Sequence, residues 1–138
     1  MATKFYVCTM CGNVVFKCVD SGVGVDCCGA KMQELIPSTE ETMKEKHLPV
    51  VEFEKDGVIK VKVGSQPHPM APEHHISFIY LETEHGGQVK YLKPGDTPEA
   101  VFHVCRKDKP IAVYEYCNIH GLWKTEIEDN CGKRFCCR

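Results

Sequence analysis

Apolar and polar positions along this chain alternate with a period of two in several places and seldom repeat with the period of a helix. Ile59, Val61 and Val63 alternate with Lys60 and Lys62, which predicts a strand with one buried face. Ile76, Phe78 and Tyr80 repeat the pattern, and TEHGGQ at 83–88 supplies the glycines of a hairpin turn. Further strands are expected over residues 101–104 and 111–116, joined by the polar KDKP. Helical periodicity is weak except for a short turn over residues 40–46. Short strands punctuated by Gly and Pro predict an all-β chain whose body is an antiparallel sandwich. LIPSTEET at 35–42 reads as a linker between that body and a cysteine-rich head.

Composition then narrows the chemistry. The chain has 138 residues, 43% of them hydrophobic, enough for a modest core. It contains no apolar run long enough to span a bilayer, and MATKFYVCTM lacks the apolar core of a secretory signal. With a net charge of −2, neither nucleic acid nor an anionic membrane is expected as a partner. The expected location is cytoplasmic. In that reducing compartment, ten cysteines point to metal or redox chemistry rather than to disulfides.

The cysteines fall in three zones, at 8–28, at Cys105 and Cys117, and at 131–137. CTMC at 8–11 lets two thiolates converge on one tetrahedral ion, and Gly12 permits the tight backbone that follows. CC at 27–28 completes the set, although adjacent cysteines must be bent toward a common centre. A tetrathiolate site of Cys8, Cys11, Cys27 and Cys28 holds zinc or iron, and geometry alone does not separate the two. Cys18 cannot join a filled tetrahedron and reads as a strand residue.

The body carries four histidine segments: EKHLP at 45–49, PHPM at 67–70, PEHH at 72–75 and YCNIH at 116–120. Imidazole is the commonest metal ligand, but a histidine taken alone is more often a surface or satisfied core residue. The set of four is more specific. On a strand, His74 would share a face with Ile76 and Phe78, and His75 with Ser77 and Ile79. Periodicity leaves open which face would carry a metal.

Two resemblances follow from these motifs. KFYVCTMCGNVV with VDCCGAKM resembles desulforedoxin over most of residues 4–36. EKHLP, GSQPHPM, PEHHI, KPGDTPEA and YCNIHGLWK resemble superoxide reductase over roughly residues 40–126. The whole chain up to its tail is similar to the two-iron desulfoferrodoxins. That resemblance implies a desulforedoxin-like iron domain at 1–37, an immunoglobulin-like antiparallel β-sandwich at 38–126 and a Cys-rich tail at 127–138. It implies an iron held by Cys8, Cys11, Cys27 and Cys28, and a second held by His47, His68, His74 and His120 in the plane with Cys117 as axial thiolate. His75 falls where the family usually has an aromatic residue and is not carried over.

The implied reaction is the one-electron reduction of superoxide to hydrogen peroxide. Lys46 would attract the anion and help organise protonation. Glu45 would move onto the open position of the oxidised iron. The resemblance also implies a rubredoxin-like electron donor and a homodimer. An alternative reading is an iron carrier of the rubredoxin or desulforedoxin type in which the body site is structural. A further one is a zinc-stabilised interaction module. The tail IEDNCGKRFCCR lies beyond the family pattern. Its Cys131, Cys136 and Cys137 read either as an incidental thiol tail or as a redox-active extension beside Lys133, Arg134 and Arg138.

Overall fold

The computed structural model describes residues 2–128. The tail thiols Cys131, Cys136 and Cys137 therefore lie outside the described residues. The chain divides into two compact units that meet at Ile36 and Pro37, within the stretch expected to be a linker. Among the described residues, no helix is long and apolar enough to cross a membrane.

The first unit is antiparallel. β1 (Phe5–Val7) lies between β2 (Val14–Phe16) and β5 (Gln33–Leu35), and β3 (Asp26–Cys27) pairs with β4 (Ala30–Lys31). Its buried hydrophobic residues are few: Phe5, Cys8 and Met32. Phe5 meets Phe16 edge-on, with ring centroids 6.0 Å apart. Units below about 40 residues usually need a metal or disulfides to supplement so small a core. Cys18, expected on a strand, instead lies exposed in a bend after β2. The chain turns there because Lys17 donates to Asp20 and to the Val23 carbonyl, while Asp20 accepts the Gly22 N–H.

The second unit opens with a 3-10 turn over Glu41–Met43 and one turn of helix, α1 (Lys44–His47). Among the described residues seven strands follow: β6 (Pro49–Phe53), β7 (Val58–Val63), β8 (Ile76–Thr83), β9 (Gly86–Tyr91), β10 (Glu99–His103), β11 (Pro110–Cys117) and β12 (Gly121–Glu126). They form two antiparallel sheets, ordered β10-β7-β6 and β12-β11-β8-β9. Ile59, Val61 and Val63 are buried while Lys60 and Lys62 are exposed, so the alternation along β7 has the predicted consequence. β8 and β9 pair Thr83 with Gly86, leaving Glu84 and His85 as the turn.

β8 departs from its sequence pattern. Its core-facing residues are Ile76, Ile79 and Leu81, not the alternating set 76, 78 and 80. The cause is an irregularity in the pairing with β11, where Tyr116 faces Phe78 but Cys117 faces Ile76. The bulge reverses the side of the sheet on which Ile76 emerges. Phe78 then stacks on Tyr116 at 5.8 Å on the other face. Ile76, Ile79, Leu81, Val113 and Cys117 share one buried cluster with Ile59, Val61, Val63 and Phe102 of the other sheet.

Gly64 ends β7 with φ of +83°, and a Cβ there would lie 2.7 Å from the Lys46 carbonyl oxygen and closer still to that of Gln66. Gly121, in the turn between β11 and β12, has φ of +80° but no heavy atom within 4 Å of that position. Gly64→Ala and Gly121→Ala both incur the left-handed backbone cost of about 1–2 kcal/mol. Only the first also drives a methyl group into the backbone of α1. Urea unfolding should therefore show a larger stability loss for Gly64→Ala than for Gly121→Ala; equal losses would show that α1 yields freely.

Candidate metal centres

Four corners of the second unit converge. α1 delivers His47, whose Nδ1 faces the Met43 carbonyl oxygen one turn back at 2.9 Å. The segment after β7 delivers His68, whose Nδ1 faces its neighbour's carbonyl, Pro69 O, at 2.7 Å. Both carbonyls can only accept, so both Nδ1 atoms carry the proton and both Nε2 atoms present lone pairs. Those two Nε2 atoms stand 3.1 Å apart. His74 comes from a four-residue turn closed by paired backbone bonds between Ala71 and His74. Its Nε2 is buried and has no hydrogen-bond partner among the described residues. The β11–β12 corner supplies Cys117 and His120, with His120 Nδ1 3.8 Å from the sulfur.

The four imidazoles form a closed square. Centroid separations run 4.7 Å from His47 to His68, 4.7 Å to His74, 5.0 Å to His120 and 4.8 Å back to His47. Each neighbouring pair is steeply inclined, between 70° and 83°. One donor atom from each histidine and the Cys117 sulfur all lie within 4.8 Å of one another. Cys117 is fully buried, whereas the four histidines line a pocket of about 430 Å³ with Thr42, Met43, Glu45, Lys46 and Pro69. The thiol thus closes one side of the square and the pocket opens on the other.

Electrostatics suits a cation here. Burial lowers the pKa of His47 and His74, and brings that of His68 down to about 4, so the rings are held neutral. Burial raises the Cys117 thiol, against the pull of the His120 and Ile119 N–H groups. Imidazole nitrogen donors and a thiol whose ionised form needs a positive partner fit a borderline transition metal. A buried, orphaned His74 Nε2 and two facing lone pairs have no other resolution among the described residues.

Sequence reasoning brought these five residues together as candidates but missed their supports. Trp123 stacks on His47 at 4.7 Å. Gln66 donates from Nε2 to Glu45 Oε1 at 2.8 Å, and its N–H donates to the Glu45 carbonyl. Glu45 and Lys46 line the pocket beside His47, and Gln66 ties that carboxylate to the His68 segment. Glu115, two residues before Cys117 and opposite Trp123 in the ladder, is fully buried with both carboxyl oxygens unpartnered. No local pattern marks such residues; only the strand register reveals them.

In the first unit, Cys8, Cys11, Cys27 and Cys28 also bring their sulfurs within 4.8 Å of one another. Cys11 donates its N–H to Cys8 Sγ, and the Cys11 and Cys27 sulfurs lie 3.6 Å apart. The bend that adjacent cysteines require is present: Cys28 has φ of 54°, the left-handed region. The Cys11 N–H, then that of Met10, lowers the Cys8 thiol to about 6. The Cys11 and Cys8 thiols push Cys28 up to about 12. Four thiols so placed cannot all ionise without a shared cation, which is the condition a tetrathiolate metal site meets.

Known proteins are similar to this chain over most of its length. The chain is 45% identical over 129 residues to a desulfoferrodoxin of Syntrophotalea carbinolica, covering 91% of this chain and 99% of that one. It is 42% identical over 100 residues to a superoxide reductase of Pyrococcus abyssi, covering 61% of this chain and 87% of the other. Among solved structures, the superoxide reductase of Treponema pallidum superposes with a TM-score of 0.76 at 34% identity, over 90% of this chain and 97% of that one. The family model for desulfoferrodoxin matches residues 39–126, a span containing the square of imidazoles and its buried thiol. By descent and by the donor set its fold assembles, the chain belongs to the desulfoferrodoxin family.

Proposed function

We propose that this chain is a superoxide reductase, an oxidoreductase that reduces superoxide to hydrogen peroxide with one external electron and two protons. The observation that carries this reading is the asymmetry of the second centre, with a buried thiol on one side of the imidazole square and a pocket bearing Lys46 on the other. His47, His68, His74, His120 and the buried Cys117 would hold an iron ion. Iron held there would supply the single electron, and a thiolate ligand would raise its electron density. The chain's own residues do the rest. Lys46 offers the positive charge that draws a small anion into the pocket. Glu45 is acceptor-only when ionised, so Gln66 can tether it at the rim while small anions enter. The family resemblance further suggests that Glu45 closes the open position after oxidation.

The same reading extends outward. Cys8, Cys11, Cys27 and Cys28 would hold a second iron in a desulforedoxin-like domain over 1–37. The seven strands of 38–126 form an immunoglobulin-like sandwich, supported by two sheets that share one buried cluster. A rubredoxin-like carrier is the proposed donor, the cytoplasm the proposed location and a homodimer the proposed assembly. The superoxide reductases among the relatives favour this over an electron carrier whose body site is only structural.

Two outcomes test the proposal. The oxidised protein should show a thiolate-to-iron absorption band from the second centre, separate from that of the first. His47→Ala and Cys117→Ser should each remove it and lower the superoxide-reduction rate by more than the about 10–100-fold typical of outer supporting residues. Retained activity in both variants would return the body site to a structural role. Lys46→Ala should slow the bimolecular reaction with superoxide by about tenfold or more and flatten its decline with ionic strength, the signature of lost steering. A rate with unchanged salt dependence would remove Lys46 from the substrate path.

A further inference from the structure

Three of the four histidines have an evident source of orientation. The rings of His47 and His68 are fixed by their Nδ1–H groups on Met43 O and Pro69 O. His120 sits one short turn from Cys117, whose sulfur accepts the His120 N–H at 3.4 Å. His74 differs, because no hydrogen bond to its ring is present among the described residues and its Nε2 is an orphan. Beyond edge contacts with the His68 and His120 rings, its side chain takes its direction from the backbone.

That backbone is closed on itself by the paired Ala71–His74 bonds and tied to the neighbouring corner by Asn118. The β8–β11 ladder ends at the pair formed by Ile76 and Cys117. Beyond that pair, Asn118 continues the pairing with its side chain. The His75 N–H donates to Asn118 Oδ1 at 2.9 Å, and Asn118 Nδ2 donates to the Glu73 carbonyl at 3.0 Å. The Asn118 N–H donates to the His75 carbonyl at 3.2 Å. Glu73 and His75 flank His74, so Asn118 grips the chain on both sides of it. Asn118 itself follows Cys117 directly and precedes His120 by two residues. One exposed amide therefore ties the corner carrying His74 to the corner carrying Cys117 and His120.

We infer that Asn118 is a positioning residue for His74, setting the distance and angle of that imidazole relative to Cys117 and His120. The inference rests on the metal-site reading above and goes beyond it by assigning a role to a residue that donates no ligand. Asparagine suits the task because one side chain supplies both an acceptor for the His75 N–H and a donor for the Glu73 carbonyl. Aspartate keeps the first and loses the second, and alanine loses both.

The test uses the chain's single tryptophan. Trp123 stacks on His47 with an interplanar angle of 19°, so its emission reports occupancy of this centre. Cobalt(II), a paramagnetic quencher, is titrated into the metal-free full-length chain and into Asn118→Ala, each with and without His74→Ala. Asn118→Ala should weaken cobalt binding by about tenfold when His74 is present, within the range for residues that orient a ligand. With His74 already replaced, the same change should have little effect, because the partner through which Asn118 acts is gone. A loss of equal size in both backgrounds, or none in either, overturns the inference, whatever happens to the melting temperature. Should Asn118→Ala fail to fold, Asn118→Asp carries the same cycle, with a smaller loss expected only where His74 is present. If cobalt fails to quench Trp123 even in the unsubstituted chain, the metal-site reading itself falls first.

Discussion

The architecture of this protein turns on two nitrogen lone pairs that face each other. The Nε2 atoms of His47 and His68 stand 3.1 Å apart with their Nδ1 protons committed to carbonyls behind them. In a folded interior such a pair is unfavourable unless a positive charge lies between or beside the lone pairs. His74, with its orphaned Nε2, and the buried Cys117 thiol add two more groups in the same position. A cation at their centre would satisfy all of these donors at once, and its binding free energy would then be part of the stability of the second unit.

Side chains along a strand alternate between faces, so no single strand can aim several ligands at one point. The fold avoids this limit by drawing its histidines from corners. His47 comes from one helical turn, His68 from the segment after β7, His74 from the turn before β8, and His120 from the turn between β11 and β12. Only Cys117 is carried by a strand, as the last residue of β11, and it is the member that points into the core. The corners are held in turn by short polar contacts. Gly64 lies against α1, Gln66 is bonded to Glu45, and Asn118 is bonded around His74. Hydrophobic packing fixes the two sheets, and this second, polar layer fixes the placement of the donor side chains on top of them.

How much of this was legible beforehand follows the same division. The strands of β7 and the hairpin after β8 could be read because one covered face imposes period two on the sequence. β8 could not be read correctly, because its bulge against β11 reverses the exit side of Ile76, and a bulge leaves no mark in hydrophobic period. The choice between His74 and His75 was likewise invisible to periodicity. It is settled by the Ala71–His74 turn, which takes both residues out of the strand and leaves the His75 Nδ1 at the Ala71 carbonyl. Cys18 was misread because Lys17, whose contacts with Asp20 and Val23 make the turn, looks like an ordinary strand lysine. Cysteine and histidine types and spacings are local signals; the contacts of Gln66 and Asn118 span 21 and 43 residues, and Glu115 meets Trp123 only through the strand register, so none of the three had a local signal to give.

Both centres use cysteine, and the number and placement of donors distinguish what each can do. Four thiols complete a tetrahedron, so a metal in the first unit would have no position left for a substrate. Cys11 and Cys28 are exposed there, so the cluster lies at the surface of its unit. In the second unit a single thiol is withdrawn into the core and four imidazoles fill a plane, leaving the pocket side open. That opening is bordered by Lys46, which favours a small anion, and by Glu45, whose carboxylate is held by Gln66. A fifth donor therefore does not close the second site: because it is buried, it leaves the pocket side of the histidines clear, where an anion can arrive.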